Sequence, residues 1–184
     1  MNIFVLDKDP AKAAKYHCDT HVVKMTLEYA QLLSIAHRAL DGEQVIEVST
    51  TGRKLKRFKH PDPVLDSVLY KTTHANHPCA KWARMSLDNY AWLFNLFEYT
   101  AIEYTLRYGK VHLSEQKLIR ILANPPNNLP DIGMTEFVQT MPEQYQIPGD
   151  AVKAYRNLYI HDKSAFAEWR YSETPFWYKN GETK

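Results

Sequence analysis

The chain is punctuated for helices, and this constrains its fold more than any other feature. Three Asp-Pro or His-Pro pairs read as helix starts: Asp9-Pro10, Asp62-Pro63 and His77-Pro78. An Asp in the capping position accepts a free N–H of the first turn. A Pro just after it sacrifices no hydrogen bond, because that N–H has no partner within the helix. After Pro10, apolar residues recur at helical spacing (Val22, Met25, Leu32, Leu33, Ala36, Leu40) until Asp41-Gly42 stops the run. The segment reads as one long helix or as two pieces with a break near Cys18–Thr20. Asp62-Pro63 opens a short helix to about Thr72. His77-Pro78 opens a long one that runs to Tyr108 and ends at Gly109, with Trp82, Met85, Leu93, Leu96 and Phe97 as its core stripe. Two more helices are expected over 114–123 and Asp150–His161.

The remaining segments are short. Gln44–Ser49 and Lys54–Lys59 flank Thr50-Thr51-Gly52-Arg53, the pattern of a β-hairpin. Asn2–Leu6 is a buried strand or extended arm, and the prolines and asparagines of Asn124–Pro130 make a loop. With 184 residues, no internal repeat and no linker, the expectation is one domain over 1–184: a mainly α, compact helical bundle with one small β-hairpin. No apolar run reaches the roughly 18–20 residues of a membrane span, and the first residues are too short an apolar stretch for a signal peptide. A cytoplasmic monomer is the expectation. Cys18 and Cys79 form no CxxC pair and read as two thiols in a reducing compartment.

A net charge of +2 does not by itself point to nucleic acid, but its distribution does. Arg53-Lys-Leu-Lys-Arg-Phe-Lys-His60 contains five basic side chains and no acid, so Arg53, Lys54, Lys56 and Arg57 would give the second strand a positive face. Aromatic residues crowd the second half of the chain. A basic strip with many aromatics suits a DNA-binding surface.

Three constellations stand out as chemistry. His17, His21, Lys24 and Glu28 are spaced by four, three and four, which puts them on one helix face. Such a set supports acid–base work or stabilisation of a cation. His74 and His77 lead into Lys81 and Arg84, and cations on the first turns of a helix oppose its dipole. A phosphate would compensate them, as would a nearby acid. Phe176-Trp177-Tyr178-Lys179 could stack on bases and touch phosphate, or could dock on the core. His17, His21, His74 and His77 together raise a metal site, but no HExxH motif or cysteine pair supports it. Neither a metal nor a cofactor is expected.

The tail Pro-Phe-Trp-Tyr-Lys-Asn-Gly resembles the Trp-Tyr-Lys tail of the pyrimidine-dimer DNA glycosylases of the endonuclease V type. Leu27-Glu28, with its helix ending near Asp41-Gly42, resembles the Arg-Glu segment of that family. Asn76-His77-Pro78, the aromatic-rich helix and Arg107-Tyr108-Gly109 have counterparts in order. The opening Leu-Asp-x-Asp-Pro is similar to that of proteins from large tailed phages. The resemblance implies a helical enzyme that flips a nucleotide out of double-stranded DNA and cleaves its N-glycosidic bond, with Glu28 as the catalytic carboxylate. It also implies an N-terminal amine as nucleophile. With Asn at position 2 the initiator methionine stays, so that amine belongs to Met1, and base excision without an amine-driven strand cut is expected. His21 or Lys24 would tune Glu28, protonate the leaving base or bind a phosphate. Trp177, Tyr178, Lys179 and the basic strand would hold the DNA, and Asp7 and Asp19 are the reserve carboxylates. A histidine-based metal-dependent nuclease and a non-catalytic DNA-binding protein of a phage or defence system are the alternative readings.

Overall fold

The computed structural model describes residues 1–181. Its helices are α1 (Pro10–Tyr16), α2 (Asp19–Asp41), α3 (Pro63–Val68), α4 (Pro78–Ala83), α5 (Leu87–Tyr108), α6 (Leu113–Leu122), α7 (Ala151–His161) and α8 (Phe176–Lys179). The antiparallel hairpin β1 (Glu43–Val48) and β2 (Lys54–Lys59) sits between α2 and α3. The protein is therefore mainly α with one small hairpin, as its punctuation implies. Among the described residues no helix is long and apolar enough to cross a membrane.

Long α2 is the central element and packs on α5, α4 and α6. Asp9 and Asp62 cap α1 and α3 by accepting N–H groups of the first turn. The break after α1 falls at His17–Cys18. There the Arg107 guanidinium donates to the Lys15 and His17 carbonyls and pairs with Asp19, joining the end of α1 to the start of α2. Gly42 is required by crowding, since a Cβ there would lie 2.5 Å from the Arg38 carbonyl oxygen and 2.7 Å from that of Lys59.

One expectation changes and one alternative is decided. The helix expected over 78–108 is two helices: Ser86 interrupts it, accepting the Asn89 N–H at 3.1 Å and capping α5. Asn89 then donates to the Trp82 carbonyl at 2.9 Å and ties the pieces together. Residues 2–6 pair with no strand. Ile3–Leu6 are buried as an extended arm, held by side chains: the Phe4 N–H donates to the Tyr29 hydroxyl, and Arg156 Nε donates to the Leu6 carbonyl.

Candidate active site

The N-terminal arm brings the start of the chain to Glu28. The Asn2 side chain is its anchor. Asn2 Oδ1 accepts from Thr140 Oγ1 at 2.6 Å and from Ile3 N at 2.8 Å, with the Tyr155 hydroxyl 2.9 Å away. So fixed, the Asn2 N–H donates to Glu28 Oε2 at 3.2 Å, and the Met1 α-amine lies 3.7 Å from the same oxygen. Lys24, one turn back on α2, places its Nζ 3.5 Å from Glu28 Oε1. The Glu28 side chain is only 14% exposed, whereas that of Lys24 is 67% exposed. The carboxylate is thus drawn partly out of water but kept between two cations and one N–H, at the edge of the molecule. A carboxylate held in this way stabilises positive charge developing beside it.

His77 borders the same place. Its Nδ1 accepts the Cys79 N–H and caps α4, which leaves Nε2 as the ring's N–H donor. Cys79 in turn approaches Asn2 Oδ1. Burial lowers the His77 pKa, and the Met1 amine and His74 lower it further. His74 adopts φ 55°, a left-handed conformation uncommon outside glycine but one that His enters more readily than most residues.

The histidines of the proposed polar face do not share this surface. His17 lies beyond the end of α1, fully buried, and bridges Ala13 to Tyr29: Nδ1 donates to the Ala13 carbonyl at 2.6 Å and Nε2 accepts from the Tyr29 hydroxyl at 2.7 Å. Burial holds its pKa down at about 4. His21 is also buried, stacked on Phe4 with ring centroids 4.5 Å apart and bonded through Nδ1 to the Tyr159 hydroxyl. Burial, followed by the nearby His17, lowers its pKa to about 3. Both rings are neutral polar members of the core, so Lys24 and Glu28 alone form the accessible part of that face. The reserve carboxylates are engaged as well. Asp19 holds Arg107 and the Arg170 N–H, and Asp7 holds Arg156.

The cations ahead of α5 are also placed differently. The break at Ser86 makes Lys81 a last-turn residue of the short α4, and Arg84 is its C-cap, donating to the Ala80 carbonyl. Cations at a helix C-terminus complement the dipole. The expected need for a compensating phosphate or acid therefore disappears.

Tail and hairpin divide in the same way. Trp177 is 1% exposed, packed edge-on against Tyr16 and Tyr159 and beneath the Arg156 guanidinium. It is part of the core and presents no face to a base. Tyr178 is half-buried on Trp169, and Phe176 and Lys179 are exposed. On the hairpin, Arg53 just before β2 and Lys54 and Lys56 on it are exposed, but Arg57 turns inward and donates to the Thr72 carbonyl.

The four histidines suggested as metal ligands do not assemble. Among the described residues, the His, Cys, Asp and Glu group compact enough for an ion is instead His37, Asp41 and His60. The sequence reading missed it because the three residues span the end of α2 and the end of β2. Its protonation does not favour a metal. His60 Nδ1 accepts the Asp62 N–H, so in the neutral ring Nε2 carries the proton, and that buried Nε2 has no partner. Comparison with protein-family models, curated proteins and solved structures gives no match for the chain.

Proposed function

We propose that the protein is a DNA glycosylase that flips a damaged or bulky modified pyrimidine nucleotide out of duplex DNA and cleaves its N-glycosidic bond, working as a cytoplasmic monomer. The observation that carries this reading is Glu28, a largely buried carboxylate held at the surface between the Met1 amine, the Asn2 N–H and Lys24. Cleavage develops positive charge on the sugar as the base leaves with the electrons of the C1′–N bond. Glu28 stabilises that charge and takes the proton of the water that adds to C1′. The Lys24 ammonium and the His77 Nε2–H stand ready to hold a flanking phosphate or the departing base. The exposed cations Arg53, Lys54, Lys56 and Lys179 supply non-specific attraction to the duplex. Extruding a base costs a few kcal/mol, and less when the base is damaged or badly stacked, which favours such substrates.

Purified protein incubated with dimer-containing DNA, and with DNA bearing modified cytosine or thymine, should release base and leave abasic sites. No release from any of them would overturn the proposal. Borohydride added during turnover separates two routes, because it traps a covalent complex only if an amine, that of Met1 or of Lys24, attacks C1′. Hydrolysis predicts none.

One observation favours a second reading, a non-catalytic DNA binder. The outer face of the hairpin sets exposed Ile46 and Val48 opposite Lys56 and Lys54, an apolar and cationic ribbon of the kind that can lie in a groove. That protein would bind duplex DNA and release nothing.

A further inference from the structure

The inner face of the hairpin lines one side of an open cavity of about 480 Å³, whose walls include Glu47, Arg57, Lys59, Lys71, Thr72 and Lys117. We propose that this cavity binds a phosphate group. Arg38 and Asp66 also line it, but they neutralise each other in a close ion pair at 2.5 Å. The remaining groups are four cations, Arg57, Lys59, Lys71 and Lys117, against one acid, Glu47, a surplus of three positive charges. An anion is the ligand such a surplus favours.

Two polar groups in the wall lack the partners they need. Thr72 is 3% exposed and its Oγ1 has no hydrogen-bond partner, and neither does the buried Arg57 Nε. They are neighbours, because the Arg57 guanidinium donates to the Thr72 backbone carbonyl. Buried donors without acceptors are uncommon, and strain, an ordered water or a bound ligand accounts for them. Glu47 shows where an anionic oxygen rests: its Oε2 stands 3.9 Å from Arg57 Nε and 3.4 Å from Lys71 Nζ. The first distance is too long for a hydrogen bond, so Glu47 neutralises this corner without satisfying Arg57. Its side chain is 43% exposed and free to swing outward. A phosphate in its place would present several oxygens to Arg57 Nε, the Thr72 hydroxyl and Lys71 together, where Glu47 reaches only the two cations. Glu47 is thus the resident competitor of the ligand.

A phosphate of this kind comes either from a small phosphate compound or from a nucleic-acid backbone. The assignment does not depend on Glu28 chemistry, and the two can fail separately. Amide chemical shifts of the intact protein, followed during titration with inorganic phosphate, should move at Arg57, Lys71 and Thr72 and saturate. Thr72→Val keeps the shape and removes the hydroxyl, and should weaken binding about fivefold; Arg57→Gln should weaken it about tenfold or more. Glu47→Gln should tighten it several-fold, a change of sign that no damaged fold would produce. A 12-base-pair duplex that displaces phosphate assigns the site to a DNA backbone, and a mononucleotide that displaces it where the duplex does not assigns it to a small ligand. Absence of saturable shifts, or equal binding by the wild type and all three variants, would overturn the proposal.

Discussion

His21 and Glu28 lie two turns apart on α2, and the fold treats them in opposite ways. The imidazole enters an aromatic cage of Phe4, Tyr159 and Phe166, is held neutral, and is closed to a substrate. The carboxylate stays at the edge, held by the Asn2 N–H and flanked by two cations. A buried polar group must be satisfied internally or pay a desolvation penalty. Rings such as His17 and His21 meet that demand with one or two hydrogen bonds to tyrosines and carbonyls. An ionised carboxylate needs charge beside it and a path to solvent. Residues spaced alike in the sequence therefore divide into two stabilising residues of the core, His17 before α2 and His21 on it, and one group fitted for chemistry.

The largest expected effect tests this division directly. Glu28→Gln keeps the shape and an acceptor for the Asn2 N–H but removes the negative charge. Excision should fall by about a thousandfold or more, as when a preorganised electrostatic group is lost. Binding to duplex DNA should stay within a few-fold. A variant that excises normally would move the chemistry away from α2. His17→Ala should do the reverse. It empties a fully buried position and leaves the Tyr29 hydroxyl without its acceptor, at about 2–4 kcal/mol of stability by thermal denaturation. Residual folded protein should retain its excision rate per molecule. Loss of that rate without loss of stability would return His17 to the active site.

The neutral histidines also give stability a pH dependence. His17, His21 and His37 have folded pKa values of about 4, 3 and 4, below the ordinary 6.5, chiefly because burial penalises the charged ring. Between those values the unfolded chain binds more protons than the folded one, so stability rises with pH. The contribution is complete above pH 6.5 and is lost as pH falls from there toward 4. Each ring adds a slope of up to about 1.4 kcal/mol per pH unit. Chemical denaturation at pH 7, 6 and 5 should show a falling midpoint, and replacing His17 should flatten the fall. A midpoint constant over this range would mean that these rings are not held neutral in the core.

What the sequence made legible follows from the range of the forces involved. Helix starts at Asp9-Pro10 and Asp62-Pro63, the stop at Gly109 and the hairpin around Gly52 are local, set by caps and backbone preferences within a few residues. The break at Ser86 was hidden because its cap sits inside a continuous aromatic stripe, and its support comes from Asn89 and from the Leu87 N–H bonded to the distant Pro130 carbonyl. At the candidate site, Glu28 and Lys24 were readable from helical spacing. The anchor Asn2 was not, since its partners Thr140 and Tyr155 are more than a hundred residues away. Trp177 illustrates the opposite error. Adjacent aromatics look alike in sequence whether they face a base or a core, and only the packing of Tyr16, Tyr159 and Arg156 around it decides the matter.

Lys24 provides the smallest effect and the finest test of the division on α2. Its ammonium is mostly exposed and 3.5 Å from Glu28 Oε1, an ion pair of the class worth about 0–1 kcal/mol. Lys24→Met should therefore leave the melting temperature nearly unchanged. Any contribution it makes to excision comes through the field at Glu28 or through a flanking phosphate. Loss of a phosphate contact weakens DNA binding and reduces its salt dependence by about one unit in the logarithmic slope, with the single-turnover rate little altered. Loss of the field changes the rate at saturating DNA instead. Because the Met1 amine and Asn2 N–H still hold Glu28 in the variant, the first pattern is the expected one, with a loss of about fivefold or less at moderate salt. A Lys24→Met protein as inactive as Glu28→Gln would mean that the ammonium, and not the carboxylate alone, belongs to the reacting centre.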